Sequence, residues 1–218
     1  NCTLALFTDA SFASDTKDSK STTGCLLVLI GERTYAPISW LCKKQTAVSH
    51  SSTEAEIISL ETALRLEGLP ALQFWDTVNE AFGPYNDSPP TEQQQIETYE
   101  QTLLRRQELD MIDTVSPTLP YTAYDSRLLI LEDNDAVIKM CIKGRAPTLR
   151  HVGRTHRIDL DWLFERINSD RAVFGRYIHT KLQMADMLTK GHFTAEAWMS
   201  LCQLIRVGPP PTQAGLNK

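Results

Sequence analysis

Residues 4–41 read LALFTDASFASDTKDSKSTTGCLLVLIGERTYAPISWL, and the spacing of their apolar runs decides the fold. LALFTD (4–9) closes on an acid, GCLLVLIG (24–31) is bounded by glycines, and TYAPISWL (34–41) follows after a short gap. Short apolar runs separated by polar turns read as strands rather than helices. Gly31, Glu32 and Arg33 supply the second turn, and the polar stretch 11–23 joins the first two runs. Three such runs make an antiparallel meander. Pro37 lies in the third run and cannot donate a ladder hydrogen bond, which suits an edge strand or a bulge.

The pattern then turns helical. SHSSTEAEIISLETALRLEG (49–68) carries Ile57, Leu60 and Leu64 on one face, with serines to cap it and acids in its first turn. Gly68 and Pro70 are read as its stop, and 69–83 as a second helix. RLLILED (127–133) is a fourth strand ending at acids, and 134–144 is a short helix closed by Gly144. A basic stretch, 145–157, precedes an amphipathic helix over 158–169. VFGRYIHT (173–180) reads as a fifth strand, and 183–191 and 194–205 as helices. The fold class is therefore α/β: a five-stranded mixed sheet, three strands antiparallel and the rest parallel, flanked by helices. Trp40, Trp75, Trp162 and Trp198 are read as core.

Residues 84–126 differ in kind. They hold five of the eleven prolines, and 91–110 is rich in Gln and Glu with few apolar residues. This stretch reads as a flexible or partly helical insertion. The domain then comprises 1–83 and 127–206, with a loose tail at 207–218.

The chain has 218 residues, 42% hydrophobic and 22% charged, which is globular composition. No apolar stretch is long enough to span a bilayer, so no membrane partner is expected. The net charge of −5 excludes a basic attraction over the whole surface, and nucleic-acid binding would need a local patch. Five scattered cysteines without a C-x-x-C read as buried or free thiols. The sequence begins at Asn1 rather than Met and reads as a piece of something longer.

Four acids stand at element ends: Asp9, Glu56, Asp133 and Asp186. A buried carboxylate is costly unless paired or metal-bound, and clustered carboxylates repel one another. A divalent cation removes that penalty. Mg²⁺ takes oxygen ligands from separate elements readily, and two such ions clamp the attacking and leaving oxygens of phosphoryl transfer. Strand-end acids also cap helices or bind surface bases, and spacing alone leaves both readings open.

Further motifs narrow the choice. TDASFASDTKDSKSTTG (8–24) and PISWLCKKQTAVSHSSTEAE (37–56) resemble the ribonuclease H domain of copia-type (Ty1/copia) retrotransposon Pol polyproteins. LEDNDAVIKM (131–140), HVGRTHRIDLDWLFERI (151–167) and HTKLQMADMLTKG (179–191) resemble later segments of the same family, in the same order. The resemblance covers nearly the whole chain except 84–126 and the last dozen residues. It implies a ribonuclease H-like fold and hydrolysis of the RNA strand of an RNA–DNA hybrid during reverse transcription. It implies Asp9, Glu56, Asp133 and Asp186 as catalytic residues and ligands of two Mg²⁺ ions, with Mn²⁺ as a substitute and no small-molecule cofactor. The partners it implies are the hybrid and an upstream reverse transcriptase domain of the same polyprotein. The implied location is intracellular, in a cytoplasmic virus-like particle and in the nucleus.

Substrate contacts are expected from Ser11, Ser51 and Ser52 near the 2′-hydroxyl, and from Lys43, Lys44, Arg150, Arg154 and Arg157 at phosphates. His179 lies seven residues before Asp186, and cellular ribonucleases H carry a loop histidine before their last aspartate that helps product leave, so the resemblance implies a product-release role for His179. His151 and His156 read as structural, because no Cys or His cluster supports zinc. Glu54 reads as a helix-dipole partner pointing away from Glu56, and Glu132 alternates to the other face of its strand. Two rivals remain: a catalytically silent binding module from a decayed or domesticated element, and an integrase or transposase. The latter place their glutamate late in the chain, whereas here it comes second.

Overall fold

The computed structural model describes residues 2–15, 17–82 and 126–207. The meander is present as β1 (Cys2–Ser11), β2 (Thr22–Gly31) and β3 (Tyr35–Lys44). After them come α1 (Ser52–Ala63), a π-helical turn (Leu64–Gly68) and α2 (Leu69–Phe82). The later elements are β4 (Leu128–Glu132), α3 (Asp135–Lys143), α4 (Val152–Thr155), α5 (Leu160–Ser169), β5 (Val173–Tyr177), α6 (Asp186–Thr189) and α7 (Ala195–Ile205). The expected insertion at 84–126 lies outside the described residues, apart from Ser126 as a boundary; so does the tail beyond Val207.

The sheet order is β3-β2-β1-β4-β5. β1 to β3 pair antiparallel, while β4 lies parallel to β1 and β5 parallel to β4. This is the five-stranded mixed sheet expected from the sequence. β3 is an edge strand, and its register shifts beside Pro37, so the proline sits where its missing donor costs least.

β1 is the central strand, and its alternation serves two cores. Leu4 and Leu6, with Leu128 and Ile130 of β4, pack against Ile57, Leu60 and Leu64. Ala5 and Phe7, with Leu26 and Val28 of β2, pack against Met184, Ala185 and Ile205. The sheet is thus sandwiched between helical layers, and the polar end of β1 emerges between them.

Three sequence expectations are corrected. Gly68 and Pro70 do not stop the first helix. The backbone stays helical from Ser52 to Phe82 through the π turn, where the Leu69 N–H reaches back to the Leu64 carbonyl. A wider turn makes room for a proline ring in a helix. Gly68 serves packing instead, since a Cβ there would lie 2.9 Å from Leu128 Cδ2 and 3.0 Å from Leu6 Cδ2. Second, Trp40 and Trp198 are not core: they are 67% and 45% exposed. Trp40 lies on the edge strand and Trp198 on the outer face of α7, whereas Trp75 and Trp162 do pack on the core. Third, the helix expected over 183–191 is one turn, Asp186–Thr189, preceded by a 3₁₀ turn at Thr180–Leu182.

Candidate active site

Asp9 does not end its strand. β1 runs two residues further, and Asp9 faces Gly24 across the β1–β2 ladder. Its carboxyl is buried, and Thr189 donates its hydroxyl to Asp9 Oδ2. Gly24 makes that approach possible, because a Cβ at Gly24 would overlap the Thr189 methyl group. Ser59 of α1 donates to the Asp9 carbonyl at 2.6 Å and so ties the helix to the end of the strand.

Glu56 projects from the first turns of α1. It is buried, and its Oε2 has no hydrogen-bond partner among the described residues. Burial, reinforced by Glu132, Asp9 and Asp133, pushes its pKa up to about 10. Asp133 follows β4 directly, held between Glu132 and the helix cap Asn134, whose side chain accepts from the Ala136 and Val137 N–H groups.

Asp186 opens α6. Gln183 fixes that segment: it is fully buried and donates to the Thr8 carbonyl at 2.9 Å. Asp186 Oδ2 lies 2.6 Å from Lys190 Nζ, while Oδ1 is buried without a hydrogen-bond partner among the described residues. Burial raises its pKa to about 6, against the pull of Lys190. Asp9 is raised as well, by burial above all, with Asp133 adding to the effect and Thr189 and Lys190 opposing it.

Asp133 therefore acts electrostatically on Asp9, Glu56 and Asp186, and Asp9 acts on Glu56 and Asp186, from separate elements at one end of the sheet. Glu56 approaches from the α1 face and Asp186 from the α6 face, with Asp9 and Asp133 between them. Among the described residues, no group of three or more His, Cys, Asp or Glu side chains forms a ready-made metal cage. The donors nevertheless suit a hard divalent cation. All are carboxylate oxygens, two are buried and orphaned, and their crowding disfavours full ionisation without added positive charge.

Glu132 is a fifth carboxyl at the site, and its alternation along the strand had pointed away from it. Glu132 does alternate to the other face of β4, but that face looks toward α1, where Glu56 lies. It is buried, accepts from Thr8 Oγ1 at 2.8 Å and from the Asn134 N–H at 3.2 Å, and burial raises its pKa to about 8. Thr189 and Lys190 are further site residues that sequence reasoning missed. The only sequence signal for them was their place three and four residues after Asp186, as the T-K pair of the last motif.

The expected substrate contacts are dispersed. Lys43, Lys44 and Arg157 line a cavity of about 100 Å³ together with Thr23, Gln45 and Arg65. Lys44 is already paired with Asp15 at 2.5 Å and Asp18 at 2.8 Å, which fastens the β1–β2 loop to β3. Arg150 and Arg157 border a wider hollow of about 610 Å³. Arg154 is exposed on α4, and Ser11 is half-buried at the end of β1. Ser51 caps α1, accepting from the Glu54 N–H at 3.1 Å, and Ser52 beside it is exposed. His179 is exposed and caps the 3₁₀ turn, its Nδ1 accepting from the Lys181 N–H at 3.1 Å.

His151 and His156, read from the sequence as structural, both lie against Glu54. Glu54 points away from Glu56, is buried, and has its Oε1 3.2 Å from His151 Nε2 and 3.4 Å from His156 Nε2. Its Oε2 accepts from the His50 N–H at 3.1 Å. This joins the start of α1 to the segment carrying Arg150, Arg154 and Arg157.

Fold and site together define an α/β domain with a carboxylate cluster at the end of the central strands of a mixed sheet. No protein-family model matches the chain, and no curated protein matches it. Among solved structures, it is similar to a ribonuclease H1 isolated from compost by a metagenomic approach. The two share 12% identity and a TM-score of 0.40, over 86% of this chain and 92% of that one.

Proposed function

We propose that the chain is a ribonuclease H domain of a copia-type retrotransposon polyprotein, cutting the RNA strand of RNA–DNA hybrids with two divalent ions. The observation that carries this reading is the convergence of Asp9, Glu56, Asp133 and Asp186 at one end of the sheet, where burial and crowding raise the pKa values of Asp9, Glu56 and Asp186 and two buried oxygens have no partner among the described residues. The four acids occur in the order of the family motifs that the sequence resembles.

Asp9, Glu56, Asp133 and Asp186 would hold the ions, Mg²⁺ or Mn²⁺. When bound, such ions activate a water as nucleophile and stabilise the leaving 3′ oxygen. Lys43 and Arg157 would hold phosphates of the hybrid, joined by Arg150 on the neighbouring hollow and by the exposed Arg154 of α4. Lys44, engaged with two aspartates, would act by fixing the loop after β1. Ser11, Ser51 and Ser52 would read the 2′-hydroxyl that separates RNA from DNA. The products would be a 5′-phosphate and a 3′-hydroxyl, and His179 would assist their departure. The domain would work beside the polyprotein's reverse transcriptase, inside a virus-like particle.

The test is Asp133→Asn. The change is nearly isosteric but removes one charge from the cation's ligand set, while the basic phosphate contacts stay. Single-turnover cutting of a labelled hybrid should fall by about 10³-fold or more, a barrier rise of roughly 4 kcal/mol. Filter binding of the same hybrid in Ca²⁺ should hold or tighten. Cutting within about tenfold of wild type would sink the four-acid assignment. Absence of cutting by wild type, with binding retained, would instead favour the silent binding module.

A further inference from the structure

The carboxylate cluster contains a cation of the chain's own. Lys190 Nζ is 2.6 Å from Asp186 Oδ2, one helical turn along the chain, and its charge also acts on Asp9 and Asp133. The preceding residue, Thr189, donates to Asp9 Oδ2. Two consecutive residues therefore occupy one oxygen each of the two acids on the α6 side. Meanwhile Asp186 Oδ1 and Glu56 Oε2 stay buried and, among the described residues, unpartnered.

Lys190 is placed to leave. Its side chain is 39% exposed, against 10% for Asp186. The ammonium thus reaches the cluster from the solvent edge on a flexible stem. One positive charge leaves several carboxyls incompletely compensated. A divalent ion would compensate them better, but two cations crowded on one carboxylate repel each other strongly.

We propose that Lys190 is a built-in counter-ion that competes with the divalent cation for Asp186 and must swing out before Asp186 becomes a ligand. The inference rests on the metal-dependent reading given above. It makes divalent-ion affinity lower than the carboxyl groups alone would give, and it makes Lys190 a residue that tunes that affinity.

The experiment measures Mg²⁺ and Mn²⁺ binding to the full chain by titration calorimetry, with thermal unfolding in parallel, so no reading depends on cleavage. Lys190→Gln removes the charge and keeps a donor. It should bind Mg²⁺ at least about tenfold more tightly, equivalent to about 1.4 kcal/mol. Its unfolding temperature should fall in chelator and rise further than that of wild type on adding Mg²⁺. Lys190→Arg keeps the cation and offers a two-pronged grip on Asp186, so its Mg²⁺ affinity should drop severalfold below wild type. Lys190→Gln binding no tighter than wild type overturns the proposal. So does tighter binding by Lys190→Arg, which keeps the question decidable if the first variant does not fold. Wild type that binds neither ion removes the metal-dependent reading itself, and the inference falls with it.

Discussion

Gly24→Ala should destabilise the protein, and Thr189→Ser should relieve the damage. Gly24 lies in β2 opposite Asp9, and its φ is not positive. The backbone would accept alanine, and where nothing else intervenes such a change stabilises by about 0.4–1 kcal/mol through the unfolded chain. Here the new Cβ would overlap Thr189 Cγ2 and stand 3.3 Å from Leu188 Cβ. Overpacking of this kind costs about 1–3 kcal/mol, which exceeds the entropic gain and decides the sign. For a chain of this size each kcal/mol moves the unfolding temperature by roughly 2–4 °C. Thr189→Ser removes the offending methyl and keeps the hydroxyl that donates to Asp9, at a cost by itself of about 0.8 kcal/mol. The double variant should therefore be more stable than the sum of the two changes by about 1 kcal/mol or more. Urea unfolding of the four proteins closes the cycle. Additivity within about 0.5 kcal/mol would refute the claim that α6 rests on Gly24 through Thr189.

Stability in chelator should fall between pH 6.5 and 8. Glu132 and Glu56 have folded pKa values raised to about 8 and about 10, so the folded state binds more protons than the unfolded one across this window. His156, which burial holds below its usual value, opposes this trend only below about pH 6.5, where the unfolded histidine takes up its proton. Thermal unfolding in EDTA should show the decline and Glu132→Gln should flatten it; a level wild-type profile would show that these carboxyls ionise normally. Glu54→Ala removes the carboxylate that faces the buried His156 ring and the acceptor of the His50 N–H, and should cost about 1–3 kcal/mol in urea unfolding. The same variant should bind hybrid more weakly and with a shallower dependence on salt. Its log–log slope should shrink by about 0.9 for each phosphate that the displaced arginine segment no longer neutralises. An unchanged slope would separate Glu54 from that segment.

Local pattern made much of the molecule legible. The strand runs of 4–41, the Gly31 turn and the 3.6-residue spacing of Ile57, Leu60 and Leu64 are short-range signals, and the elements they indicate are present. Pro37 marked the edge strand for a covalent reason, its missing N–H. Signals that depend on a distant neighbour misled. Gly68 looked like a helix stop, but it is small because Leu6 and Leu128 pass close by. Trp40 looked like core, but on the edge strand it is exposed, with no layer of the described residues covering it.

The sequence by itself determined which residues alternate, which turn, and which acids stand at polar breaks between apolar runs, because these follow from bonding and periodicity along the chain. Only the tertiary structure decided who faces whom. Glu132 was correctly placed on the far face of its strand, yet the acid cluster wraps around the end of the sheet, so that face also belongs to it. Thr189 meets Asp9, and Gln183 meets the Thr8 carbonyl, across more than 170 residues. Such pairings are set by how helices stack on a twisted sheet, and the energy that selects them is shared burial, which no single segment carries.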